Sequence, residues 1–260
     1  MVSVQAKAAD WYRHGWTLDI KNQTWTQQTE QQVDFLVRTL NLRGDEKILD
    51  LACGYGRHAL SFARRGFSVT GVDLTPAYIE DAKKTVAEQG LAATFLCADL
   101  RDVSFCGQFD VVLNLADGAI GYLETEKENL KIFDVISRAL RPGGKHFMDV
   151  CNAEHAELFF PKRWWEAGES SLAFAQFEWD STARRMLFGG FELQLGQPVT
   201  APDIPFGDPT RLYSVAELRQ ILAQRGLQIV DTYSDYDGHP ASEKQMQLMV
   251  YSVKNRADAP

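Results

Sequence analysis

One stretch, KILDLACGYGRHALSFARRGFSVTGVD from Lys47 to Asp73, constrains this chain more than any other. Its apolar run Ile48-Leu49-Asp50-Leu51-Ala52 reads as a buried parallel strand. Cys53-Gly54-Tyr55-Gly56 follows as a turn, because glycine accepts backbone angles closed to other residues. A helix is predicted from Arg57 to Arg65, stopped by Gly66, and a second strand from Phe67 to Val72 that ends on Asp73. Strand, glycine turn, helix and strand make half of a nucleotide-binding α/β unit. Amides at the helix N-terminus, at the positive end of the helix dipole, hold a ligand's carboxylate. The acidic residue ending the second strand accepts the hydroxyl hydrogens of a ribose.

Asp50 separates the two nucleotide classes that use this geometry. Gly54-x-Gly56-x-x-Ala59 meets the loose dinucleotide fingerprint, so the glycines alone discriminate poorly. A carboxylate at the strand's C-terminal end repels a pyrophosphate and suits a ligand with an ammonium or sulfonium group. The stretch resembles motif I of the class I S-adenosylmethionine (SAM)-dependent methyltransferases, an acidic residue, any residue, then Gly-x-Gly-x-Gly. Ala52 stands in place of the first glycine. Further on, GYLETEKENL and ALRPGGKHFMDV are similar to a group of bacterial small-molecule methyltransferases.

The resemblance implies SAM as cofactor and S-adenosylhomocysteine (SAH) as product, with no metal. It implies cofactor contacts from Asp50, Ala52, Cys53, Gly54, Gly56 and Arg57, from Asp73 and Leu74, and from Ala98, Asp99 and Leu100 after the third strand. In the family an acidic residue at the position of Asp99 accepts from the adenine amine, and the next amide meets the ring. Asn114 and Leu115, leaving the fourth strand, complete the implied set beside the sulfonium. The implied fold is α/β, a seven-stranded, mostly parallel, doubly wound sheet with an antiparallel last strand. A β-rich insert follows the fifth strand.

At 260 residues the chain can bury a sizeable core, and one elaborated α/β domain fits better than two domains. A formal net charge of −8 disfavours nucleic acid as partner, since a binder usually carries a basic face. Cys53, Cys97, Cys106 and Cys151 form no CxxC pair and no metal-ligand spacing. The N-terminus lacks the apolar run of a signal peptide, and no stretch has membrane-spanning length. A cytoplasmic protein with reduced thiols is expected, as monomer or homodimer.

Four segments follow from the pattern. Residues 1–44 are an N-terminal helical segment in which Trp11, Tyr12, Trp16 and Trp25 are either a surface-packed element or a flap over the site. Thr29-x-x-Gln32 reads as a capping box. Residues 45–151 are the SAM-binding, Rossmann-like core. Within it, Thr75 and Pro76 start a helix, and strands run Ala93–Ala98, Phe109–Leu115 and Lys145–Val150. A helix spans Glu126 to Leu140, and Arg141-Pro142-Gly143-Gly144 turns the chain into the fifth strand.

Residues 152–212 break the alternation, with an aromatic hairpin of Ser171–Trp179 and Arg185–Leu195. Pro198, Pro202, Pro205 and Pro209 speak against long regular structure after it. This insert is either a lid over the acceptor pocket or a dimerisation arm. Residues 213–255 complete the sheet, with a Ser214/Glu217 capping box and strands Leu227–Tyr233 and Gln247–Val253. Arg256 to Pro260 reads as a frayed tail.

Methyl transfer from a sulfonium is an in-line displacement in which the protein mainly aligns and desolvates, effects worth roughly 7–11 kcal/mol in well-oriented systems. A base is needed only where the acceptor keeps its proton. His239 and Asp117 are the catalytic candidates, because both fall in loops at the ligand end; His58, His146 and His155 read as structural. The expected reaction is methylation of an O or N atom, less readily C, of a small-molecule metabolite. The family's amino-methyltransferase signature of a small polar residue, two prolines and an aromatic is absent. Two other classes compete: a non-catalytic SAM-fold partner subunit and an NAD(P)-dependent oxidoreductase. Asp50 and the lack of a Tyr-x-x-x-Lys pair oppose the second, and the intact motif opposes the first.

Overall fold

The structure, a computed structural model, describes residues 5–14, 16–168, 171–199 and 206–256. In chain order the elements are β1 (Gln5–Ala6), α1 (Thr29–Thr39), β2 (Lys47–Leu51), α2 (Arg57–Arg64), β3 (Ser68–Asp73), α3 (Pro76–Gln89) and β4 (Ala93–Cys97). Then come β5 (Phe109–Asn114), α4 (Glu126–Ala139), β6 (Leu140–Cys151), α5 (Ala153–Phe159) and β7 (Lys162–Ala167). The chain continues with β8 (Ser171–Asp180), β9 (Arg185–Gln194), β10 (Phe206–Arg211), α6 (Val215–Ala223), β11 (Leu227–Tyr233) and β12 (Gln247–Lys254). Three short 3-10 turns lie between β1 and α1.

Seven strands form the main sheet in the order β11-β12-β6-β5-β2-β3-β4. Strands β4, β3, β2, β5 and β6 are parallel, and β12 runs antiparallel to both β6 and β11. This is the doubly wound sheet with a reversed last strand that the motif resemblance implies. Alternate residues of the central strands face opposite layers. Leu49, Leu51 and Val112 pack with Phe133 and Ile136 of α4 and Leu218 and Leu222 of α6. Ile48, Val111 and Leu113 pack with Val33 and Leu36 of α1 and Phe62 of α2. Truncating any one of the leucines, Ile48, Ile136 or the phenylalanines to alanine would cost about 2–5 kcal/mol. The two layers clamp β2 and so hold the end of that strand in place.

Several local expectations are corrected. Thr29 and Gln32 form no capping box; α1 starts at Thr29 without a side-chain cap. Arg57 takes both polar groups instead, donating to Thr29 Oγ1 at 2.9 Å and Gln32 Oε1 at 2.6 Å. Thr75 and Pro76 do start α3, as N-cap and first helical residue; only the Thr75 side chain makes no cap bond, and Asp73 Oδ1 accepts the Thr75 N–H at 2.8 Å. Strand β6 starts earlier than Lys145, because Arg141–Gly144 is absorbed as an irregularity between the pairs Phe109–Leu140 and Val111–Lys145. The Ser214/Glu217 capping box is formed as expected.

The insert is larger than a hairpin. Strands β8 and β9 pair as the sequence predicts, but they belong to a five-stranded sheet, β1-β10-β9-β8-β7. Pro209 sits within β10, opposite Leu187 of β9, contrary to the expectation of irregular chain. Its carbonyl accepts the Trp11 indole N–H at 3.1 Å. Pro202, Pro205 and residues 257–260 of the expected tail lie outside the described residues. Strand β1 pairs in parallel with β10, so the chain's first strand joins the insert's sheet. Helix α5 was not foreseen; Ala153 and Ala156 fix it against Phe177, Met186 and Leu212. Among the described residues no helix is long and apolar enough to cross a membrane.

Candidate active site

At the C-terminal end of β2 the backbone turns left-handed at Ala52 (φ 56°), Gly54 (57°) and Gly56 (80°), and α2 begins at the next residue. Gly56 is needed twice over. Its φ is strained for any side chain, and a Cβ there would lie 2.7 Å from the Phe95 ring. The turn is tied to β3 by Cys53 N–H to Val72 O at 3.0 Å and Gly54 N–H to Asp73 Oδ2 at 2.8 Å. Asp73 thus straddles two turns, one oxygen on Gly54 and the other on Thr75.

A cleft opens at this end of the sheet. Asp50, Ala52, Cys53, Gly54, Arg57, Asp73, Leu74, Asp99, Leu100 and Leu115 all line it. Gly56, Ala98 and Asn114 do not: Gly56 is packed against Phe95, Ala98 N–H bonds to Asp73 O, and Asn114 donates to Gly118 O at 3.0 Å. Tyr12, Trp16, Ile20 and Trp25 of the N-terminal segment also line the cleft. Among the described residues, none of 152–212 does.

Asp50 is buried, and its Oδ2 has no hydrogen-bond partner. Burial pushes its carboxyl up to about 7; the Arg57 guanidinium pulls it down and Asp73 pushes it further up. Arg57 is held by Thr29, Gln32 and the face of Trp25, 5.3 Å from the ring centroid. Asp99 is the opposite case. Its two oxygens take the Arg101 backbone N–H, two Arg101 guanidinium N–H groups and Arg13 Nη2 at 2.9 Å. The Arg101 hydrogen bonds hold its carboxyl down at about 2.

The catalytic candidates part company. His239 pairs with Asp235 at 2.8 Å on an exposed loop, its side chain 71% exposed, outside the cleft lining. Asp117 is half-buried behind the cleft. It accepts from Cys151 N–H and from the Tyr122 hydroxyl, both at 3.2 Å, and the Tyr122 ring lines the cleft. Burial and nearby Asp149 push Asp117 up to about 6. Residues Ala116, Asp117, Gly118 and Ala119 all have φ between 51° and 68°, a run of left-handed backbone costly for non-glycine residues. His58, His146 and His155 are engaged with Gln32, Ser252 and the Glu243 carbonyl, and burial lowers all three.

Tyr122 escaped the sequence reading. Its signal was its place in GYLE directly after the β5 loop. The cleft's chemistry fits SAM: an orphaned buried carboxylate oxygen suits a cationic group, the left-handed glycine turn lets a ligand approach backbone, and Asp73 stands at the end of β3.

Comparisons with known proteins agree. The family model described as "Methyltransferase domain" matches residues 48–144. The putative methyltransferase YqeM of Bacillus subtilis is 32% identical over 219 residues, 81% of this chain and 85% of that protein. Among solved structures, a SAM-dependent methyltransferase from Clostridium acetobutylicum shares the fold with a TM-score of 0.71 at 17% identity, covering 87% of this chain and 92% of that one. A Burkholderia thailandensis 1,6-didemethyltoxoflavin-N1-methyltransferase, with 1,6-didemethyltoxoflavin and SAH bound, has a TM-score of 0.59 at 16% identity, covering 98% and 93%. The glycine turn, the reversed strand and these relatives lead to one conclusion: the chain belongs to the class I SAM-dependent methyltransferases.

Proposed function

We propose that this methyltransferase acts on an O or N atom of a small-molecule metabolite in the cytoplasm. The observation that carries the reading is the cleft's cover. Tyr12, Trp16 and Trp25 come from the chain's own N-terminal segment, leaving space suited to a compact acceptor and not to a macromolecular chain. The net charge of −8 supports an acceptor other than nucleic acid. The 1,6-didemethyltoxoflavin-N1-methyltransferase is a structural neighbour that holds a small molecule.

Bound SAM supplies a methyl group already activated by its sulfonium charge. Asp73 has lone pairs left over from Gly54 and Thr75 that would accept ribose hydroxyls, and Asp50, which lines the cleft, would hold the cationic part of the ligand. Leu100 and Asp99, which also line the cleft, would hold the adenine. The aromatic cover excludes water, which strengthens each charged contact. Where the acceptor must lose a proton, the Tyr122 oxygen would take it while the Tyr122 hydroxyl proton passes to Asp117 Oδ2, 3.2 Å away, whose carboxyl burial and Asp149 raise to about 6. Residues 45–151 and 213–255 are the catalytic unit and residues 1–44 its cover. A metabolite screen that follows SAH release tests the reading: turnover with a small amine or hydroxyl compound is expected. Turnover only with RNA or protein would overturn it.

A further inference from the structure

A second cavity, of about 320 Å³, lies where the β8–β9 turn and the end of β10 meet the first turns of α4. It shares no lining residue with the cleft; Leu123 lines the one and Glu126 the other. Three guanidiniums gather on it: Arg184 in the turn, Arg185 at the start of β9 and Arg211 at the end of β10. Arg185 and Arg211 are direct partners across the two strands. In a chain with a net charge of −8, such a concentration of positive charge calls for a counterpart.

Carboxylates answer two of the three. Glu217 takes Arg184 Nη2 at 2.9 Å and Arg211 Nη2 as well, and Glu126 Oε2 lies 3.4 Å from Arg211 Nε. Arg185 has no ion-pair partner among the described residues; its Nη2 donates to the Glu124 carbonyl at 3.2 Å. The acids nearest in the chain are engaged elsewhere. Asp180, opposite Arg185 in the hairpin, accepts the Thr182 and Ala183 amides, and the Glu124 carboxylate takes Tyr12 and Arg101. Three guanidiniums against two carboxylates leave one positive charge, and the N-terminus of α4 adds the positive end of its dipole. The cluster is also fixed in place, Arg184 by Glu217 and Arg211 over the Tyr213 ring, 4.4 Å from its centroid. A guanidinium carries five N–H donors, so Arg185 keeps donors for a ligand.

We propose that this cavity binds a phosphate group, free or as the ester of a small molecule, with Arg185 as its principal partner and Arg184 and Arg211 beside it. The planar fork of a guanidinium matches a pair of oxyanion oxygens. A tetrahedral phosphate points oxygens to several sides and so meets donors from three separate chain positions, whereas a carboxylate offers two oxygens in one plane. Glu126 on the same wall repels a longer polyanion, which favours a single phosphate group over a nucleic-acid strand.

Titration calorimetry of the full chain saturated with SAH, which keeps the probe out of the cleft, tests this. At fixed ionic strength inorganic phosphate is expected to bind with a Kd of about 1 mM or tighter. Glycerol phosphate binding more tightly than inorganic phosphate assigns the site to an ester, and the reverse order assigns it to the free ion. Arg185→Gln should weaken phosphate by about tenfold or more. Lys83→Gln, which removes an exposed charge from α3, should leave it unchanged. If Arg185→Gln no longer takes up SAH, Thr182→Glu replaces it: this exposed turn residue lines the cavity, and a carboxylate there should weaken phosphate to the same degree. Absence of phosphate binding, equal losses in the Arg185 and Lys83 variants, acetate binding as tightly as phosphate, or a short RNA binding more tightly than either phosphate overturns the proposal.

Discussion

Arg13 Nη2 lies 2.9 Å from Asp99 Oδ2, and this ion pair fastens the N-terminal segment to the loop after β4. Asp99 already takes three donors from Arg101, so an incoming adenine amine must compete with Arg13. Arg13→Ala should therefore speed both association and dissociation of SAH several-fold and leave Kd within about threefold. The pair is partly exposed, so fold stability should fall by no more than about 1 kcal/mol. Stopped-flow fluorescence of the cleft tryptophans reads the rates, and unchanged rates would rule out the competition.

Asp73→Ala should weaken SAM binding by about tenfold or more, from loss of charge-assisted hydrogen bonds worth roughly 1.5–3 kcal/mol each. It should also destabilise the free protein, because Gly54 N–H and Thr75 N–H lose their acceptor. Calorimetry and urea unfolding separate the two effects. Asp73→Asn, which keeps an acceptor oxygen, should recover part of the stability.

Asp50 links pH to both stability and binding. Its carboxyl is raised from 3.8 to about 7 in the folded chain, chiefly by burial. The stability it contributes is therefore complete below about 3.8 and is lost as pH rises through about 7. A cationic ligand favours the ionised form, so SAM affinity should rise with pH across the same window and binding should release a proton. Titration calorimetry in buffers of different ionisation enthalpy counts that proton. Asp50→Asn should abolish the release and stabilise the free protein above pH 7 relative to wild type.

Gly56→Ala should lose roughly 1–2 kcal/mol from left-handed backbone alone, and more from the Cβ contact with Phe95. Adding Phe95→Leu should relieve the contact but not the backbone cost. Denaturant midpoints of the single and double variants apportion the two.

The β2-to-β3 unit was legible because its information is local: a five-residue strand with three aliphatic residues, a glycine turn and a periodic helix follow one another directly. The same holds for the Ser214/Glu217 cap. What escaped was pairing between distant segments. Nothing near Gln5 announces Phe206 as its neighbour, and nothing near Asp99 announces Arg13. Pro209 misled because proline is judged by its missing N–H, whereas here its carbonyl is the group in use. Asp117 and His239 looked alike as loop residues, yet one is half-buried behind Tyr122 and the other faces solvent. Burial is a property of the assembled fold and leaves little mark on a single position.

The segment over the cleft is moored at both ends. Upstream, β1 pairs with β10 and Trp11 bonds to Pro209; downstream, the chain runs into α1 on the main sheet. Between them, Tyr78 holds the Thr17 carbonyl and Lys21 holds Asp81. A span tethered at two points cannot swing away like a free terminus; it can only slacken when one mooring shifts. Departure of SAH is then coupled to the second sheet's position relative to the first, and a cross-link between β1 and β10 should slow product release while leaving the methyl-transfer step intact.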